Sequence, residues 1–143
     1  MEQSLILIKP DAVTHHLIGA IIGRYEEEGL TVSALQMLRP TQELAVAHYA
    51  EHQGKPFYEA LLSFITSGDV VALILSGEDA IARVRLLNGA TDPQKADAGT
   101  LRALYGEDPM HNVVHASNSS ANAQREIALW FPKSETSHVP SEG

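Results

Sequence analysis

The chain has 143 residues, 44% of them hydrophobic, no cysteine, and a formal net charge of −8. That length suits a single domain, residues 1–143, with a substantial core. The acidic surplus argues against binding nucleic acid through a basic face, and the missing cysteines exclude a disulfide framework, a thiolate zinc site and a cysteine nucleophile.

The apolar run Leu5–Ile8 is too short, and wrongly flanked by Lys9, Pro10 and Asp11, for a signal peptide or a membrane segment. A cytoplasmic protein is expected, with no membrane partner. An anionic small ligand would need a local cationic pocket within the acidic surface, and a metal ion travelling with it.

In chain order, SLILIK at Ser4–Lys9 reads as a buried strand closed by Pro10, its lysine emerging at a sheet edge. Ile18, Ile21, Ile22 and Tyr25 fall at helical spacing over Ile18–Glu28, and Gly29 supplies the stop. The acidic run Glu26–Glu28 sits badly against the helix dipole and reads as a solvated face. LTVSALQML, Leu30–Leu38, alternates as a strand does but changes phase near Ala34 and Leu35, which predicts a bulge. Thr41 can cap a helix reaching about His52. Pro56 opens another, Phe57–Ile65, with Phe57, Leu61, Phe64 and Ile65 on one side.

VVALIL, Val70–Leu75, has the length and continuity of a central strand, and Ser76–Leu87 follows as a capped helix. Asn88–Asn112 is mostly loop, with one helical turn near Thr100–Leu104; a loop that long is commonly functional or disordered. Ser119–Ile127 can be helix, ALWF at Ala128–Phe131 a last strand, and 133–143 a polar tail. The pattern is mixed α/β with about four strands. Periodicity alone does not separate a parallel sheet from a two-layer α+β sandwich.

Three constellations bear on chemistry. HYAEH, His48–His52, fits H-x-x-E-H, in which two imidazoles on one helix face hold zinc and Glu51 deprotonates its water. A third ligand and a cleft would have to come from elsewhere, and the bland alternative is an exposed helix with incidental histidines. Gly54-Lys55 is followed by Pro56, and Tyr49 stands where a P-loop needs its first glycine, so neither common phosphate cradle is present. Lys9, Arg85 and Arg102 form a scattered cationic set that Thr91, Tyr49 and Asn112 could join, but spacing does not establish that they converge.

The third is NVVHASNSS, Asn112–Ser120. Small residues after His115 leave one side of its ring accessible, and Glu126 lies far enough along to fold back onto the far nitrogen. An imidazole is mostly neutral at pH 7, which suits a nucleophile or base.

LILIKPDAV, HYAEHQGKPFY, LLNGATDPQKADAGTLR and NVVHASNSS before EIALWFP occur in the order found in nucleoside diphosphate kinases, and the chain resembles that family from Ser4 to Pro132. The resemblance implies a ferredoxin-like α+β two-layer sandwich with a four-stranded antiparallel sheet covered by helices. It implies ping-pong transfer of a γ-phosphoryl group from a nucleoside triphosphate to a diphosphate, through a phosphohistidine at His115.

By the same resemblance, Lys9 contacts the transferring phosphate, and Arg85, Thr91 and Arg102 bind phosphates. Asn112 bonds the sugar, Phe57 and Leu61 pack on the base, Tyr49 lies near His115, Glu126 orients it and Ser117 supports the geometry. Mg²⁺ arrives with the nucleotide, with no metal ligands from the protein. A homo-oligomer, hexamer or tetramer built from dimers, is implied too.

Two departures stand out. Asn118 replaces the family's usual aspartate three residues after the nucleophile, and Ala98 stands where a proline often precedes the glycine. Neither removes a reacting group. An active enzyme is expected, the alternative being an inactive relative that binds nucleotide or acts as a scaffold.

Overall fold

The computed structural model describes residues 1–132; the polar tail at 133–143 lies outside them. Four strands, β1 (Glu2–Ile8), β2 (Thr31–Leu38), β3 (Val70–Gly77) and β4 (Val114–Ala116), form one antiparallel sheet in the order β2-β3-β1-β4. Among them run helices α1 (Pro10–Thr14), α2 (Ile18–Glu27), α3 (Gln42–His48), α4 (Tyr58–Ile65), α5 (Ala80–Asn88), α6 (Leu101–Tyr105) and α7 (Ser120–Trp130). This is the four-stranded antiparallel α+β sheet expected, but helices cover both of its faces, where the expectation was a two-layer sandwich.

Two apolar clusters share the sheet. Ile6, Ile8, Leu73 and Leu75 pack with Ala12, Ile21, Tyr25, Val84 and Leu101, from α1, α2, α5 and α6. Leu5, Leu7, Val70 and Ala72 pack on the other face with Ala45, Leu62, Ile65 and Trp130, from α3, α4 and α7. Helices on both faces explain why β1 and β3 read as unbroken apolar runs although their partners are antiparallel. Burying each such Leu or Ile side chain contributes about 1.5–3 kcal/mol. The edge strand β2 instead alternates, and exposes Leu35 and Met37.

Several local readings hold. Gly29 follows α2 at φ 86°, and Glu26–Glu28 are exposed, with Arg24 bonded to Glu28 at 2.9 Å. The β2–β3 register shifts between Val32 and Ala34, beside the expected bulge, and Ser33 Oγ shares a hydrogen bond with Ser76 Oγ there.

Others are corrected. Pro10 does not merely close a strand but opens α1. Lys9 is at no sheet edge: β1 is flanked by β3 and β4, so the lysine leaves the end of an internal strand and is 6% exposed. The helix after Thr41 stops at His48, and Ala50–His52 is a separate 3₁₀ turn. On α4 the buried side is Tyr58, Leu62 and Ile65, while Phe57 precedes the helix and is exposed. β3 continues through Ser76 to Gly77, and α5 starts only after Asp79, in left-handed conformation at φ 51°.

ALWF is no strand. Ala123, Glu126 and Trp130 are buried at helical spacing, so α7 runs on to Trp130. The fourth strand is Val114–Ala116, three residues that carry His115 in their middle.

Candidate active site

A cleft of about 560 Å³ opens beside the ends of β1 and β4. Its lining includes Lys9, Tyr49, Phe57, Leu61, Arg85, Thr91, Arg102, Asn112, His115 and Glu126. The structure thus brings together residues that spacing alone left scattered. Ser117, fully buried, lies behind the wall and donates to Glu126 Oε1 at 2.7 Å.

Pleating decides where His115 points. It pairs with Leu7 across the β1–β4 ladder, and its neighbours Val114 and Ala116 belong to the first apolar cluster, so the imidazole projects to the opposite face. There Nε2 meets Glu126 Oε1 at 3.1 Å, across the eleven residues that the α7 turn folds back. Glu126 only accepts, so Nε2 carries the proton and Nδ1 keeps its lone pair. No partner for Nδ1 stands among the described residues.

Glu126 is buried and well supplied with donors. Burial pushes its carboxyl up, but the hydrogen bond and charge of His115, the Ser117 hydroxyl and Arg125 together hold it below the ordinary carboxylate range. Ser117 Oγ also accepts from Leu5 N at 3.0 Å, which ties the carboxylate to the central strand.

The KPD motif builds the far wall. Lys9 Nζ donates to Asn112 Oδ1 at 2.7 Å and to the Met110 carbonyl at 3.3 Å. Asn112 Nδ2 donates to the carbonyls of Thr91 and Pro109, both at 2.9 Å. Burial and the nearby Arg102 charge lower the Lys9 pKa to about 8.

Val113 follows at φ 67°, a left-handed conformation costly for a β-branched residue. It is held by Asp11 Oδ2, which accepts from its N–H at 3.1 Å, and by Lys9 N–H, which donates to its carbonyl at 2.8 Å. The strain therefore sits between Asn112 and His115. Residue spacing alone does not single out Asp11, although KPD contains it.

Arg102 reaches over from α6 and donates to the carbonyls of Gly89 at 2.8 Å and Val114 at 2.7 Å, while its Nε is buried without a partner among the described residues. A Cβ on Gly89, at φ 88°, would collide with Thr100, so this approach requires glycine. Arg85 is exposed on α5 and Thr91 on the loop beyond it. Phe57, 44% exposed, sits by His52, their ring centroids 5.5 Å apart. Tyr49 is buried among these groups, and burial followed by the Glu126 charge raises its pKa.

The zinc-peptidase reading of HYAEH fails on geometry. His48 ends α3 and His52 belongs to the following 3₁₀ turn, so the two are not an i, i+4 pair on one helix. His48 is 2% exposed, accepts from Trp130 Nε1 through Nδ1 at 3.1 Å, and lies edge to face with His115, ring centroids 4.6 Å apart. Burial and the neighbouring His115 hold its pKa well below the ordinary histidine range. An indole N–H can only donate, so His48 is the neutral tautomer with its proton on Nε2. No sequence signal marked the Trp130–His48 pair, because their contact joins α7 to α3.

The chain matches the family model described as "Nucleoside diphosphate kinase" over residues 2–136. Nucleoside diphosphate kinases of Mycobacterium tuberculosis and Mycobacterium avium are 56% and 55% identical to it over 132 residues, 92% of this chain and 97% of each relative. Among solved structures, the Aquifex aeolicus nucleoside diphosphate kinase superposes with a TM-score of 0.90 at 42% identity, over 94% of this chain and 97% of that one. A halophilic nucleoside diphosphate kinase from Halobacterium salinarum, in complex with CDP, gives 0.90 at 46% identity, over 94% and 90%. The chain belongs to the nucleoside diphosphate kinase family, and its activity is that family's phosphotransfer between nucleotides.

Proposed function

We propose that the γ-phosphoryl group passes from a nucleoside triphosphate to a nucleoside diphosphate in two half-reactions, through a phosphohistidine on Nδ1 of His115. One observation carries this: Glu126 takes Nε2, leaving Nδ1 free on a ring that lines the same cleft as Lys9, Arg85 and Arg102.

In the first half-reaction the Nδ1 lone pair attacks the γ-phosphorus, the bond to the bridging oxygen breaks, and the diphosphate leaves. Nε2 keeps its proton, and Glu126 balances the charge on the phosphorylated ring. In the second, a terminal oxygen of the incoming diphosphate attacks the same phosphorus and the N–P bond breaks. Such transfers depend on positioning and on charge stabilisation at the equatorial oxygens.

Lys9 serves the transferring phosphate. Arg85, Thr91 and Arg102 hold the others, and the unpartnered Arg102 Nε is a donor that an anion would satisfy. Asn112 Oδ1 has a second lone pair, beyond its bond from Lys9, for a sugar hydroxyl. Phe57 and Leu61 offer a flat apolar contact to the base, which carries little base identity and suits many nucleotides. Tyr49 packs edge to face on His48, whose ring in turn meets that of His115, and Ser117 braces Glu126.

Mg²⁺ belongs to this proposal as an ion that travels with the nucleotide and neutralises phosphate oxygens. Among the described residues the possible ligand group is His48, His115 and Glu126, two imidazoles and one carboxylate, whereas Mg²⁺ takes oxygens. Self-association fits the exposed Leu35 and Met37 on edge strand β2. A single working domain and a cytoplasmic location complete the proposal, since nucleoside di- and triphosphates are intracellular metabolites.

The test is steady-state transfer from ATP to GDP, CDP and dTDP with both substrates varied. Parallel double-reciprocal lines are expected for a substituted-enzyme route. Intersecting lines would mean direct transfer in a ternary complex, and would contradict it.

A further inference from the structure

The two oxygens of Glu126 have different partners. Oε1 accepts from His115 Nε2 and Ser117 Oγ, whereas Oε2 accepts from Asn122 Nδ2 at 3.2 Å. Asn122 Nδ2 also donates to Asn118 Oδ1 at 3.1 Å, and Asn122 Oδ1 accepts from Arg125 Nε at 3.0 Å. This carboxamide has one workable direction. Arg125 only donates and the ionised Glu126 only accepts, so exchanging its oxygen and nitrogen would set donor against donor and acceptor against acceptor.

Arg125 is anchored in turn, through Nη1 to the Ala47 carbonyl at 3.0 Å and Nη2 to the His48 carbonyl at 3.2 Å. Asn122 therefore links the carboxylate behind the nucleophile to the end of α3 on one side and to the β4–α7 loop on the other. An aspartate at 118 would accept the same bond but bring a second negative charge towards Glu126. Asn118 keeps the bond without the charge.

We propose that Asn122 is a positioning residue for phosphoryl transfer: it fixes the carboxylate plane of Glu126 by holding Oε2, so that Oε1 keeps His115 aimed into the cleft, and Asn118 orients the Asn122 carboxamide. The proposal rests on His115 being the nucleophile. A carboxylate held through one oxygen can turn about its Cγ–Cδ bond, and the ring bonded to that oxygen turns with it. The charged and titratable groups near this carboxylate are His115 on β4, Arg125 on α7 at 3.9 Å, and Tyr49 and the neutral His48 at the end of α3. Glu51, 3.9 Å from Arg125, partly offsets that cation.

The experiment compares wild type with Asn122→Ala, Asn122→Asp and Asn118→Ala, measuring phosphoenzyme formation from Mg–ATP by rapid mixing across pH, with kcat and KM. For Asn122→Ala, phosphoenzyme formation should slow roughly tenfold, as for losing one hydrogen bond to a charged group. KM should hold, and the acid limb should move to higher pH because Glu126 loses a donor to its ionised form. Asn122→Asp should move the limb further, and Asn118→Ala less.

Both Asn122 variants are compatible with the first turn of α7, where alanine is a better helix former and aspartate suits the dipole. Labelling as fast as wild type at every pH would overturn the proposal, as would a slower rate with an unmoved acid limb and a lowered Tm. A wild type that takes no phosphate would overturn the nucleophile reading together with this one.

Discussion

Lys9 and Asn112, 103 residues apart, meet at 2.7 Å in the wall of the cleft, with the lysine buried and the carboxamide committed to three partners. Among the described residues no carboxylate is in contact with this buried lysine, which is therefore poised to receive an anion. It also sets a pH limit on its own use.

Burial, then Arg102, brings the Lys9 pKa down to about 8 in the free enzyme. kcat/KM, which reports free-enzyme ionisations, should therefore fall as pH rises through about 8. In Lys9→Arg this basic limb should disappear from that range, because arginine stays charged. A limb unchanged in Lys9→Arg would assign it to another group.

Stability follows with a definite sign. The unfolded chain holds this proton to about 10.5 and the native chain only to about 8, so the unfolded state binds more protons in between and stability rises with pH there. The slope is at most roughly 1.4 kcal/mol per pH unit. Tyr25 and Tyr49, both raised by burial, oppose it above their ordinary 10, where the unfolded chain loses their protons first. Urea unfolding across alkaline pH should show a rise followed by a fall.

Ser117→Ala should affect both folding and catalysis. It removes the hydroxyl bonded to Leu5 N and to Glu126, leaving a buried donor and one fewer bond to the carboxylate. A loss of about 1–3 kcal/mol is expected from denaturant unfolding. kcat should fall with KM for nucleotides little changed.

Phe57→Ala should act the other way. Phe57 is 44% exposed at the cleft and touches no reacting group, so KM should rise for every nucleotide by a similar factor. Stacking of a base on an aromatic ring contributes roughly 1–3 kcal/mol. A selective effect on one base would show that Phe57 reads identity.

Ala98 offers a gain. It precedes Gly99, at φ 90°, in a turn closed by Thr100 N–H on the Asp97 carbonyl at 3.2 Å. That geometry is a type II turn, whose second residue favours proline. Ala98→Pro should stabilise by about 0.4–1 kcal/mol through the unfolded chain, read as a Tm higher by a few degrees.

Much of this fold was legible because β1, β3 and α2 carry their own periodicity. β4 and ALWF elude such a reading for one reason. β4 is three residues long and ALWF is four apolar residues in a row, and at such lengths only tertiary packing, here of Trp130 against His48, distinguishes strand from helix. For the site, individual side chains were visible but their convergence was not: Lys9, Arg85 and Arg102 are placed by three separate elements. The left-handed Val113 and its Asp11 clamp left no trace in residue spacing, since strain of this kind comes from contacts a hundred residues apart.

The most direct measurement is to phosphorylate the protein with Mg²⁺ and γ-labelled ATP, identify the phosphohistidine isomer, and chase with unlabelled GDP, with His115→Ala alongside. The prediction is an acid-labile, base-stable label on Nδ1 of His115, transferred quantitatively to GDP and absent from the variant. Label on Nε2, label retained in His115→Ala, or a label that GDP fails to remove would contradict a nucleophile whose far nitrogen is held by Glu126.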